Sequence, residues 1–140
     1  MKTANAISMT FLLTFSFFTS AIADTLTKEA YKLEKNRISA EYKAGKDSCS
    51  NLSGDVKDVC MARVKGANDV SEAELEARMN PGAKTQYDLS IARAEANYSV
   101  AREQCNSKSG DSKDQCVRSA KDALESAKDS AKLQLGNETD

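Results

Sequence analysis

The stretch CSNLSGDVKDVC at residues 49–60 returns as CNSKSGDSKDQC at residues 105–116. Each is bounded by cysteines and holds Ser-Gly-Asp near its centre. The match extends outward at a constant offset of 56 residues. Tyr31 falls on Tyr87, Leu33 on Leu89, Arg37 on Arg93, Ala40 on Ala96 and Tyr42 on Tyr98. Beyond the second cysteine, Lys65 falls on Lys121 and Ala67 on Ala123. Fourteen of the 37 positions from 31 to 67 are identical without a gap, where chance gives about two or three. All four tyrosines and all four cysteines sit at matched positions. The chain is a tandem duplication.

Each copy reads as helix, turn, helix. In the second copy Tyr87, Ile91, Ala94, Tyr98, Ala101 and Cys105 step by alternating fours and threes, the spacing of one helix face. The first copy keeps that face as Tyr31, Lys35, Ile38, Tyr42, Gly45 and Cys49. Gly54 and Gly110 suit the left-handed turn that ends a helix. Asp55 and Asp111 are expected to cap the next one. A thinner stripe follows as Cys60, Val64, Ala67 and Ser71, and in the second copy as Cys116, Ala120, Ala123, Ala127 and Ala131. Asn80-Pro81-Gly82 separates the copies, with Asn80 expected as cap and Pro81 as first helical residue. The expected class is all-α: two tandem hairpins with helices near 25–50, 55–79, 81–106 and 111–135, packed as a bundle or as an elongated pair. The hairpins occupy 24–79 and 83–135, residues 80–82 form the linker, and residues 136–140 are expected to fray.

Antiparallel packing brings the two cysteines of each copy together beside the turn. Four cysteines allow three pairings. The repeat favours Cys49–Cys60 with Cys105–Cys116, because each copy then carries the same bridge; the crossed pairings stay open at this point. A zinc site usually spaces its paired ligands two to four residues apart, and a redox pair usually needs C-x-x-C or a thiolate-stabilising setting. Neither pattern is present. A bridge closing so short a loop contributes about 3 kcal/mol in the chain-entropy model.

The first residues, MKTANAISMTFLLTFSFFTSAIA, have the layout of a secretory signal peptide. Lys2 supplies the positive start, no charge occurs from Ala6 to Ala23, and Ala21-Ile22-Ala23 is a small-x-small cleavage site. Cleavage between Ala23 and Asp24 is expected, with an uncleaved membrane anchor as the alternative. Export to the periplasm of a Gram-negative bacterium fits the bridges. Removing the leader takes all four phenylalanines with it and leaves 19 bases against 21 acids, a net charge of −2. Such a chain has no electrostatic reason to bind nucleic acid or anionic lipid, and no membrane contact is expected after cleavage.

The mature chain has no histidine, so the commonest general base and metal ligand are both missing. It has no phosphate-binding glycine loop and no nucleophile elbow. Its carboxylates, among them Glu72, Glu74, Glu76, Asp122, Glu125 and Asp129, alternate with Lys and Arg as on a solvated helix face. No catalytic residue, cofactor or metal ligand is therefore assigned. Tyr31, Tyr42, Tyr87 and Tyr98 form either the largest elements of a thin core or an interaction stripe.

AEYKAGKDSCSNLSGDVKDVCMARVKGA and its second copy AEANYSVAREQCNSKSGDSKDQCVRSAKDA resemble a group of small exported proteobacterial proteins. These carry a duplicated Tyr-x6-Cys-x10-Cys hairpin rich in Lys and Ala, and some are labelled TolA-like cell-envelope proteins. The resemblance covers about residues 28–135. It implies a periplasmic helical protein and attaches no activity. The expected function is a non-enzymatic structural or protein-interaction role in the cell envelope. Narrow coiled-coil-like apolar stripes point to self-association or a protein partner. The alternative is a stress-related binding protein, either chaperone-like or buffering a ligand or metal.

Overall fold

In a computed structural model, residues 26–139 are described. The leader at 1–23 and its cleavage point at Ala23/Asp24 lie outside them. Helix α1 spans Lys28–Ser50, α2 Gly54–Met79, α3 Ala83–Gln104 and α4 Gly110–Thr139, with a 3-10 turn at Cys105–Ser107 between the last two. The chain is all-α, and its two hairpins are each stapled by a disulfide, Cys49–Cys60 and Cys105–Cys116. In both bridges the Cα atoms lie 5.7 Å apart, well within the range a disulfide spans.

Sustained helix contacts follow chain order: α1 with α2, α2 with α3, α3 with α4. The four helices therefore make an open row, with α1 and α4 at its edges. Both cysteine turns lie at one end and the 80–82 link at the other. The hairpins are joined by the α2–α3 seam, whose character is set by small residues. A β-carbon built on Gly66 would lie 2.8 Å from the Ala96 β-carbon, so the two backbones approach closely there. The Arg93 guanidinium reaches the Glu74 carboxylate at 2.6 Å across the same seam. Lys128 and Glu95 lie 3.4 Å apart between α4 and α3.

The buried apolar side chains are few: Ile38, Leu75 and Leu89, then alanines and the cysteines Cys49 and Cys105. Burying a large aliphatic contributes roughly 1.5–3 kcal/mol. Three of them amount to about what two short-loop bridges contribute, so the staples rank with the core.

Local details differ from the sequence expectation at four places. First, α1 is capped at its end by Asn51. The left-handed glycines, Gly54 at φ 57° and Gly110 at φ 54°, instead open the following helices. Second, Ser53, not Asp55, holds the cap position of α2, and its carbonyl accepts from the Lys57 N–H; Asp55 sits in the first turn. Asp111 likewise lies inside the first turn of α4, where a carboxylate favours the positive end of the helix dipole. Third, Pro81 does not begin α3. The Asn80 N–H donates to the Glu76 carbonyl and closes α2, while the Thr85 hydroxyl donates to the Gly82 carbonyl at 2.9 Å and holds the start of α3 two residues later. Fourth, α4 continues through residues 136–139, which were expected to fray, as far as Thr139. A single glycine at 136 costs a helix only about 1 kcal/mol, and Leu135 just before it is half-buried.

The buried stripe of α4 also drifts. Ala120 and Ala131 are buried as expected, but Ala123 and Ala127 are exposed. Val117, Leu124 and Leu135 are half-buried in their place.

Candidate interaction surface

The two cysteine turns share a backbone plan but not a surface. In the first copy Leu52, Val56 and Val59 occupy positions that in the second copy are Lys108, Ser112 and Gln115. Leu52 and Val56 are exposed, Val56 to 65%. They border an open hollow of about 580 Å³, lined by Leu52, Asp55, Val56, Val59, Cys60, Arg63 and Val64 of the first hairpin, with Ser107 of the second across from them. Because the second hairpin folds with polar residues at these places, the fold itself does not require apolar ones.

The hollow continues along α2. Val56, Val59, Arg63, Ala67 and Val70 recur at helical spacing on one face. A second groove of about 460 Å³ runs between α2 and α3, lined by Arg63, Ala67, Val70, Arg93, Ala96 and Val100. Arg63 lines both. Arg93 is held by Glu74, whereas Arg63 has no ion-pair partner among the described residues. Its counterpart in the second copy is Ser119. The arrangement is a largely apolar trough with Arg63, which has no ion-pair partner among the described residues, near its middle and Asp55 at its turn end.

The tyrosines lie elsewhere, on separate seams. Tyr31 and Tyr42 of α1 are half-buried; Tyr42 lies at the α1–α2 seam beside Val64 and Ser71. The Tyr31 hydroxyl donates to the Glu76 carboxylate, and that bond raises its pKa above the usual tyrosine value. Lys46 lies 4.6 Å from the Tyr42 ring centre, and Lys35 lies 5.9 Å from that of Tyr31. Tyr87 is half-buried against α4, near Ala131 and Leu135. Tyr98 is half-buried further along α3.

No charged or polar side chain is buried among the described residues. The Glu34 carboxyl is held below its ordinary pKa by its hydrogen bond with Arg37, the opposite of a carboxyl tuned to act as an acid near neutrality. No group of three or more potential ligands among the described residues is arranged to hold a metal ion. All four cysteine sulfurs are committed to the bridges. Disulfides persist in oxidising, exported compartments. No helix among the described residues is long and apolar enough to cross a membrane.

No family model matches the chain, and neither a curated protein nor a solved structure matches it. Sequence reasoning missed the trough because it followed what the two copies share. The signal lay in what they do not share: three apolar residues and an arginine present in one copy only.

Proposed function

We propose that the chain is a non-enzymatic interaction protein of the cell envelope, working in the periplasm. It docks an amphipathic segment of a partner protein in the trough along α2. The carrying observation is the face of exposed Leu52 and Val56 beside half-buried Val59, absent from the otherwise equivalent second hairpin. Apolar anchors at helical spacing are how a groove takes up a partner helix. The unpaired Arg63 favours a partner carrying a carboxylate among its apolar residues. The lack of buried titratable groups among the described residues supports a binding role over catalysis.

The test uses a photo-crosslinking residue at position 56, and at position 112 as the matched control, in exporting cells. An adduct from 56 alone is expected. The crosslinked peptide should contain apolar residues and an Asp or Glu. Arg63→Glu should abolish the adduct, and exchanging the partner's acid for Lys should restore it. Equal yields at both positions, or indifference to Arg63→Glu, would contradict the reading.

A second reading, a chaperone-like role, draws on the same exposed apolar face. It differs in its occupant, an unfolded client without a fixed sequence. Suppression of aggregation of several unrelated clients, lost on Val56→Ser, would favour it over a dedicated partner.

A further inference from the structure

The edges of the row carry the stripes that its middle buries. On α3, Ala96 and Val100 lie toward α2 and are half-buried, and Leu89, on the same helical stripe as Ala96, is buried; their counterparts on α1, Ala40, Ala44 and Leu33, are exposed. On α2, Ala62, Gly66 and Ala77 are buried; their counterparts on α4, Arg118, Asp122 and Leu133, are exposed. The contrast is large: Leu89 is 7% exposed and Ala77 5%, while Leu33 and Leu133 are each 71%.

We propose that α4 of one molecule packs antiparallel on α1 of a second copy, in the register that α2 takes on α3. Carrying the Gly66–Ala96 pairing across the repeat sets Asp122 opposite Ala40, one turn from both Arg37 and Lys43. One turn toward the start of α4, Arg118 then faces Ala44, flanked by Glu41 and Asp47. At the other end Leu133 falls opposite Glu29, one turn beyond Leu33, so the two exposed leucines lie diagonally across the contact. An acid between two bases and a base between two acids make the edges complementary. Lys43, Asp47, Arg118 and Asp122 have no ion-pair partner among the described residues; Arg37 is shared with Glu34 and Glu41 of its own helix.

The contact joins different faces of the two molecules, so it repeats into a ring or a filament. Asp122 stands where Gly66 permits close approach, so the helices meet at a greater distance than α2 and α3. The association is therefore weak, depends on charge and falls with salt. It extends the interaction reading to a second surface and does not need the trough to be occupied.

The test is sedimentation velocity on the oxidised, exported chain up to about millimolar concentration, the range in which weak association becomes measurable. Mass should rise with concentration and fall in half-molar salt, as screening predicts. Two variants exchange charges on exposed positions that the fold does not need. One is Arg118→Asp with Asp122→Arg on α4; the other is Lys43→Glu with Asp47→Lys on α1. Each alone should associate at least tenfold more weakly, and mixing the two should restore assembly. A wild-type chain that stays monomeric throughout would overturn the proposal. So would variants that associate normally, or a mixture no stronger than its parts. Val56→Ser should leave assembly unchanged; if it abolishes assembly, the contact runs through the trough instead. A failed edge contact leaves the crosslinking test of the trough intact.

Discussion

Gly66 of α2 faces Ala96 of α3 at a distance that leaves no room for a side chain, since a β-carbon at 66 would sit 2.8 Å from that of Ala96 and 3.2 Å from its Cα. The second atom is backbone, so the neighbour cannot yield by rotating. This pair holds the two stapled hairpins together in one row. Gly66→Leu should destabilise the chain by about 1–3 kcal/mol, the usual range for overpacking. Because each hairpin keeps its own bridge, the loss should appear as weaker coupling between hairpins. Hydrogen exchange should show faster opening of α2 and α3 along their seam, with the cysteine turns little changed.

The staples carry a comparable share. Cys105→Ala with Cys116→Ala should cost about 3 kcal/mol, and α4, whose buried face is mostly alanine, should lose its protection first. The same pair of changes at Cys49 and Cys60 should cost a similar amount. Denaturant titration of the two double variants checks both. A wild-type melt unchanged by reductant would contradict the weight given to the bridges.

Gly54 and Gly110 open their helices with positive φ. Nothing lies near a β-carbon at either position, so the penalty for alanine is conformational alone, about 1–2 kcal/mol. Gly54→Ala and Gly110→Ala should therefore have equal effects. Gly82, whose backbone is extended, should accept alanine at little loss. Thermal unfolding of the three variants separates these cases.

The pH profile should be flat across neutrality, because no histidine is present to titrate. At high pH the hydrogen bond from Tyr31 to Glu76 raises the tyrosine pKa in the folded chain. A raised folded value means that the contribution is complete below about pH 10, the unfolded tyrosine pKa, and is lost as pH climbs through the folded one. Tyr31→Phe should remove that alkaline component. At low pH, Glu34 is held below its ordinary value by Arg37. Its contribution is present above about pH 4.3 and is lost as pH falls through the lowered value. Chemical denaturation at a series of pH values, with and without Tyr31→Phe, reads both limbs.

How much of this was legible in the sequence depends on the residue type that carried each feature. The Tyr–Ile–Ala–Tyr–Ala–Cys face of α3 has large residues at regular spacing, and the duplication marks both disulfides. The α2–α3 seam rests on Ala62, Gly66, Ala77 and Ala96, whose small side chains leave almost no periodic signal, so whether the hairpins pack together could not be read. In α4 the alanines at 123 and 127 look equivalent to those at 120 and 131. The inward turn of Leu124 and Leu135 decides which of them are covered. The helix starts shifted because a serine before a left-handed glycine takes the cap position that aspartate seemed suited to fill.

On the proposed reading, the apolar face of the first hairpin serves binding and not folding. The direct measurement rewrites the exposed part of that face as its own repeat: Leu52→Lys and Val56→Ser together, the residues of the second copy. Stability and partner capture are then measured side by side. The expected result is unfolding free energy within about 0.5 kcal/mol of the parent, as for exposed substitutions, with the crosslinked partner complex lost. A destabilised chain would assign these side chains to the fold, and a stable chain that still captures its partner would place the binding surface elsewhere.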